Sequence, residues 1–551
     1  VNLVSVSTDG KLMAYGVRKG GEDEIQLRLY DVDARRDLAS GMPKGRYYGV
    51  SFDKAKRGFY YARWAPEGSR VRYHRMGDDA SQDALVFGEG LGPSIIPSAR
   101  VSENGRWLMI TVSVGSSGDD RRLYLKDLAA NGPLVTVADT LHALINADMV
   151  GDQLVIETNW GAPNHRVVVA DARRPQPANW RTIVPESPDA VIQDVSLVGG
   201  RVYVGVLQDV VAKLRVYGLD GTAGGEVPLP GMGSLTGVAG EWGGREGFFA
   251  YSSFTQPSTI YRYDLTTGNA RPWWRSSTPF PTDAYEVRQF SIRSTNGAKV
   301  PFFVVARKGW TYDGSNKVLL SGYGGFNVSV TSQFSPFVAA WLDLGGVYVS
   351  ANLRGGSEFG ESWHRDGMRA NKQHTFDDFL NITQWLLTRG VCLRQGLAIS
   401  GGSNGGLLVG AAMTQRPDLY GAVLCQVPLL DMLRYHRFLV ARFWVPEYGS
   451  SEDEEQFAWL RAYSPYLNLK TGVKYPSVMF VTGDSDTRVD PLHARKMAAR
   501  MQALNGENPV LLHYDVSSGH AGGKSVDKSI QDNADLLQFL RWRLRMVNVA
   551  D

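Results

Sequence analysis

The sequence predicts two domains of different class: an all-β propeller over residues 1–283 and a doubly wound, mostly parallel α/β sheet over residues 284–551. Three observations carry this. The first part repeats itself at a fixed period. The second alternates short apolar strands with helical runs. In the second part, Gly401-Gly402-Ser403-Asn404-Gly405 joins one such strand directly to one such helix.

The repeat starts at once. Val6-Ser7-Thr8-Asp9-Gly10-Lys11 recurs as Val101-Ser102-Glu103-Asn104-Gly105-Arg106. Each copy is followed by an apolar strand, a polar turn and a tyrosine-containing strand, at 27–32 and 123–128. Weaker copies begin near Ser51, Gly151, Gly199 and Glu246. A period of roughly 47 residues is that of a four-stranded propeller blade. A β-sandwich has similar strand content but no reason to repeat at this length. About six blades are counted, the first beginning at Val1.

From about Asp283 the pattern changes. Val318-Leu319-Leu320 and Gly346-Val347-Tyr348-Val349 read as strands, as does 475–482. Residues 377–388 place Phe379, Leu380, Trp385 and Leu386 at helical spacing, and 530–547 reads as a closing amphipathic helix. This is the βαβ signature of a parallel sheet with helices on its faces.

Bulk properties narrow the function. A chain of 551 residues exceeds one hydrophobic core. Apolar residues at 43% and charged residues at 21% describe a globular protein. A net charge of +3 favours neither nucleic acid nor a polybasic membrane contact. No apolar run is long enough to span a bilayer. Cys392 and Cys425 read as unpaired thiols. There is no zinc-spaced Cys/His cluster and no glycine-rich phosphate loop with a following lysine, so no metal or cofactor is expected. The cytoplasm is expected; the chain begins with valine and shows no signal peptide, and because that start looks trimmed the periplasm stays open.

Strand, Gly-x-Ser-x-Gly, helix is the nucleophile elbow of the α/β-hydrolase fold. A serine on a strained turn pushes its Oγ outward, and the N–H that follows it, on Asn404, can donate to an oxyanion. Partners in that fold come in the order Ser, Asp, His. Of the histidines after Ser403, His436 lies in an amphipathic run and reads as structural. His493 follows Pro491 at a helix start and reads as a surface residue. His513 belongs to a strand and reads as packing. His520 sits in the loop 517–523 just after that strand, where a general base must be. The acid is less determined. Asp484, Asp486 and Asp490 all follow the strand 475–482. Asp490 precedes Pro491 and reads as a helix cap. Spacing alone does not separate Asp484 from Asp486.

Elbow, partner order and propeller together resemble the prolyl oligopeptidase family of serine peptidases. Tyr323-Gly324-Gly325-Phe326-Asn327, Ala351-Asn352-Leu353-Arg354-Gly355-Gly356 and Asp486-Thr487-Arg488-Val489 are similar to that family's motifs. The resemblance covers nearly the whole chain. It implies a nucleophile at Ser403, an orienting acid at Asp486 and a base at His520. It implies an oxyanion hole from the Asn404 N–H and the Tyr323 hydroxyl. It makes Trp444 the plane that stacks on a substrate proline, with Phe326, Leu429, Tyr448 and Val489 as the other pocket walls. Arg488 would hydrogen-bond substrate backbone; the competing local reading is a structural ion pair with Asp484 or Asp490. Leu429 and Thr487 depart from the family, where valine and a second aspartate are common. The resemblance also implies seven blades and an N-terminal helical segment, and a first blade and that segment have no counterpart in these residues. The activity it implies is cleavage of short proline-containing peptides by a monomer, without cofactor; an esterase or other acyl hydrolase on the same fold is the alternative.

Overall fold

In the repeated motif a serine hydroxyl does what a longer turn would otherwise do. Ser7 Oγ accepts the Leu12 N–H at 2.9 Å and donates to Asp9 Oδ1 at 2.7 Å; Ser102 does the same with Trp107 and Asn104, at 2.9 and 2.7 Å. Gly10 and Gly105 take the positive φ that each turn needs, 71° and 78°. The motif therefore marks the hairpin between the first two strands of a blade, not the start of the blade.

The computed structural model describes residues 1–18, 21–65, 67–115, 120–504, 506–520 and 524–546. Among them are six four-stranded antiparallel sheets, at residues 2–38, 46–87, 95–143, 145–184, 190–227 and 234–275. Each sheet is an up-and-down meander, and consecutive sheets pack face to face. Strand periodicity explains this. In the third sheet, Leu108, Ile110 and Val112 point back to Ala62 and Val71 of the second. Their neighbours Trp107 and Met109 point forward to Ile145, Leu154 and Ile156 of the fourth. Both faces are buried, so such strands read as continuous apolar runs.

The last propeller strand ends at Arg275 and the larger sheet begins at Tyr285. Its strands are β1 (Tyr285–Arg293), β2 (Lys299–Arg307), β3 (Val318–Ser321), β4 (Val347–Ala351), β5 (Leu397–Gly402), β6 (Ala422–Gln426), β7 (Ser477–Gly483) and β8 (Val510–Asp515). Their order is β1-β2-β4-β3-β5-β6-β7-β8; β2 pairs antiparallel with β1 and β4, and every later pairing is parallel. The helices are α1 (Pro336–Asp343), α2 (Gly360–Arg365), α3 (Lys372–Thr388), α4 (Asn404–Gln415), α5 (Val445–Tyr448), α6 (Glu454–Tyr463), α7 (Leu492–Leu504) and α8 (Val526–Leu544).

Helices cover both faces, as a parallel sheet requires. Leu319, Ala398 and Leu424 pack on Trp341 of α1 and on Leu536, Phe539 and Leu540 of α8. The alternate residues Leu320, Ile399 and Val423 pack on the other side with Phe376, Phe379 and Ile382 of α3 and Leu407 of α4. Two helices differ from expectation. α3 begins at Lys372, five residues before the expected 377, because its first turn buries polar side chains, Lys372 and Thr375, and so lacks the apolar signal. α8 begins at Val526 rather than 530; Val547, the expected end, lies outside the described residues. No helix among the described residues is long and apolar enough to cross a membrane.

Candidate active site

The parallel strands deliver their C-terminal ends to one edge, where ligands of doubly wound sheets bind. Ser403 follows β5, residues 484–490 follow β7, and residues 516–520 follow β8. Ser403 has φ 58° and ψ −118°, a strained conformation for a residue with a side chain. The turn tolerates little beside it. A Cβ on Gly401 would lie 2.1 Å from the Gly405 carbonyl oxygen, and one on Gly405 would lie 2.8 Å from that of Gly322. Gly402 is different: its nearest contact would be 3.8 Å, so space does not demand glycine there.

Asp486 is buried and lies 2.8 Å, through Oδ2, from His520 Nδ1. Its other oxygen accepts the N–H groups of Arg488 and Val489 at 3.0 and 2.9 Å. That leaves the imidazole with one fixed partner and the carboxylate with no freedom to rotate. Asp484 is taken by the Tyr514 hydroxyl instead, and Asp490 accepts the Leu492 N–H at 2.9 Å at the start of α7. The part of the histidine loop at 521–523 lies outside the described residues.

The Tyr323 hydroxyl lies beside the Ser403 side chain; burial pushes its pKa up and the interaction with Ser403 opposes the shift. Asn404, the first residue of α4, has a backbone N–H free of intrahelical partners. Its side chain ties the site together: Nδ2 donates to the Tyr323 carbonyl and Oδ1 accepts from the Tyr448 hydroxyl, both at 2.7 Å. Beside this lies an aromatic box. Phe326 stands edge-on to Trp444 and Tyr448, with centroids 6.5 and 5.3 Å apart. Leu429 and Val489 are buried in the same apolar cluster, and Trp444 stays half-buried.

Arg488 contacts neither Asp484 nor Asp490. Its guanidinium binds Asp23 of the propeller through two bonds, at 2.8 and 2.9 Å. Around this pair the domains meet. Asp23 N donates to Thr487 Oγ1 at 3.3 Å, Thr487 donates to Glu24 at 3.3 Å, and Arg46, itself paired with Glu24, donates to the Thr487 carbonyl at 3.3 Å. Tyr47 and Trp64 of the propeller pack edge-on against Phe443, one residue before Trp444.

His493 is not a surface residue. It is 2% exposed, and its Nδ1 accepts the N–H groups of Leu430 and Asp431 at 3.4 and 3.1 Å. The segment after β6 folds over the first turn of α7 and covers it. Burial pushes its pKa down to about 4. His436 is buried beside Glu452, and His513 faces Asp535 of α8. Cys392 and Cys425 are free and buried. Among the described residues, no group of three or more His, Cys, Asp and Glu could hold a metal ion.

Several residues of the site escape sequence reasoning. Asp23 lies 465 positions from Arg488. Lys372, His364 and Glu447 form a buried polar group beneath the segment 323–327. Only Glu447 carried a hint, as an acid set among the aromatics of Phe443-Trp444-Val445-Pro446-Glu447-Tyr448.

Comparison with known proteins adds independent findings. Residues 1–276 match the family model described as "Prolyl oligopeptidase, N-terminal beta-propeller domain", and residues 332–546 match "Prolyl oligopeptidase family". A prolyl endopeptidase of Elizabethkingia meningoseptica is 33% identical over 555 residues, which cover 98% of this chain and 78% of that protein. Prolyl oligopeptidase A of Amanita bisporigera is 30% identical over 604 residues, covering all of this chain and 78% of that one. A solved structure from a study of two prolyl endopeptidases and their inter-domain dynamics superposes with a TM-score of 0.95 at 37% identity, covering 99% of this chain and 82% of its own. Prolyl oligopeptidase B of Galerina marginata, solved with a 35-residue hydrolysis and macrocyclization substrate, superposes at 0.92 with 27% identity over 99% of this chain and 80% of its own.

Proposed function

The chain belongs to the prolyl oligopeptidase family, and on that premise we propose that it is a serine endopeptidase cutting short peptides on the carboxyl side of proline. The supporting observation is a conjunction: a serine on a strained elbow, a buried Asp486–His520 pair at 2.8 Å, and an aromatic box on the same edge of the sheet. A simple acyl esterase has no use for that box.

Ser403 Oγ attacks the prolyl carbonyl while His520 takes its proton. Asp486 keeps the imidazole in the tautomer that can accept, and stabilises the imidazolium. The Asn404 N–H and the Tyr323 hydroxyl hold the oxyanion. The tetrahedral intermediate collapses, His520 protonates the leaving amine, and water repeats the sequence to release the acyl group. Trp444 offers a flat apolar face to the proline ring, with Phe326, Leu429, Tyr448 and Val489 around it. Arg488 exchanges Asp23 for substrate backbone. Residues 1–283 act as a gate over the peptidase domain, 284–551, and admit peptides rather than folded proteins. The enzyme works as a monomer in the cytoplasm, where its two thiols stay reduced.

The test is labelling with a fluorophosphonate probe together with turnover of proline and simple acyl esters. Labelling confined to Ser403 and lost in Ser403→Ala, with preference for the proline ester, is expected. Probe labelling that survives the substitution would remove the mechanism.

A further inference from the structure

The segment 323–327 carries two working parts on a backbone that must be held. Tyr323 supplies the hydroxyl beside Ser403, and Phe326 supplies a wall of the aromatic box. Gly324, Phe326 and Asn327 have φ of 65°, 60° and 57°. A bulky L-residue leaves such a conformation unless its surroundings fix it.

Three side chains do the fixing. Asn404 Nδ2 donates to the Tyr323 carbonyl. Glu447 Oε1 accepts the Phe326 N–H at 2.9 Å. Lys372 Nζ donates to the Gly324 carbonyl at 2.6 Å. Glu447 is fully buried and Lys372 is 1% exposed, and a lysine is almost never placed so without a partner. The Lys372 ammonium also lies 5.7 Å from the ring centroid of Tyr448. Burial pushes its pKa down to about 8, with Glu447 opposing the shift. The second oxygen of Glu447 is 2.8 Å from His364 Nε2. Burial disfavours the His364 cation, but the carboxylates of Glu361, 3.6 Å from Nδ1, and of Glu447, hydrogen-bonded at Nε2, outweigh it and raise its pKa to about 9. One buried charged group thus grips both the carbonyl before and the N–H after Gly325.

We propose that Lys372 is a positioning residue for the reaction: by holding the Gly324 carbonyl it keeps the Tyr323 hydroxyl aimed at the oxyanion. This rests on the roles given to Ser403 and Tyr323 above. Lys372 acts on the carbonyl next to Tyr323, whereas Glu447 acts on Phe326. Loss of Lys372 therefore falls on turnover more than on substrate binding.

A double-mutant cycle on the full chain tests this, with a blocked Gly-Pro anilide as substrate and wild type, Lys372→Met, Tyr323→Phe and the double variant as enzymes. Methionine keeps most of the volume and removes the donor. Lys372→Met should lower kcat by roughly 10-fold, within the ~10²-fold lost with the hydroxyl itself, and change KM by less than about 3-fold. In the Tyr323→Phe background the same substitution should change kcat by less than about 2-fold, because the group it positions is gone. Lys372→Gln, which keeps an N–H donor, should recover part of the loss; if the methionine variant does not fold, the cycle is run with Lys372→Leu, which also lacks the donor, and read the same way. Equal losses in both backgrounds, or an unchanged kcat in the single variant, overturn the proposal. If wild type does not cut after proline, the specificity reading fails instead; the cycle is then run with a p-nitrophenyl ester, and non-additivity still decides the role of Lys372.

Discussion

Replacing Trp444 with alanine removes one face of the aromatic box and leaves Phe326, Tyr448, Leu429 and Val489 in place. The indole is half-buried and at the edge of the core cluster, so the fold should survive its loss. A proline ring buries three methylenes at about 0.8 kcal/mol each, and losing one of two faces forfeits about half of that. Ring stacking adds about 0.5–1.5 kcal/mol. Proline at the cleavage position should then lose about 2 kcal/mol of transition-state binding, and alanine, with one methyl and no ring, well under half as much. The ratio of kcat/KM for proline over alanine should fall by about 1–2 kcal/mol, roughly 5- to 30-fold. The assay is paired turnover of blocked Gly-Pro and Gly-Ala anilides, with labelling of Ser403 by a fluorophosphonate as control. Unchanged selectivity in an enzyme that still labels would show that Trp444 only packs.

Tyr323→Phe keeps the ring and removes one oxyanion donor, so kcat should drop by about 10², at the low end of the usual range because water can fill in; an unchanged kcat/KM removes the assignment. Buried His493 binds no proton in the folded state until pH nears 4, while the unfolded chain protonates it at 6.5. Its contribution is therefore complete above pH 6.5 and lost as pH falls toward 4, by about 3 kcal/mol at most. His493→Gln should flatten thermal denaturation profiles over that window, and a profile identical to wild type contradicts its burial as the cause. Tyr47 and Phe443 face each other across the domain junction with ring centroids 6.5 Å apart. Cysteines at both positions, bridged by a thiol-reactive cross-linker that contains a reducible disulfide, should block peptide turnover and restore it when the linker is reduced; full activity in the cross-linked form shows that the propeller does not gate entry.

What could be read from the chain depended on how local each feature is. The elbow is five consecutive residues between a strand and a helix, so Ser403 and Asn404 were legible at once. The propeller was legible because its serine-anchored hairpin recurs, although the recurring residues mark the turn and not the blade edge. Asp484 and Asp486 were inseparable by spacing, since both follow β7 within three residues; only the orientation of the turn sends one to His520 and the other to Tyr514. His493 was misread because a helix start after Pro491 looks exposed until another segment covers it. The Arg488–Asp23 pair joins residues 465 positions apart, and no local pattern announces it. Lys372 was invisible for a related reason: its polar turn resembles solvent-facing sequence, and only the tertiary packing buries it.

The central claim is that one serine, in this site, cuts peptide bonds that follow proline. Mass spectrometry of a peptide-library digest tests it most directly, run with wild type and with Ser403→Ala. The account predicts new carboxyl termini dominated by proline, internal cleavage without need of a free amino terminus, and no products from the alanine variant. Products without enrichment of proline, or the same products from both enzymes, contradict it.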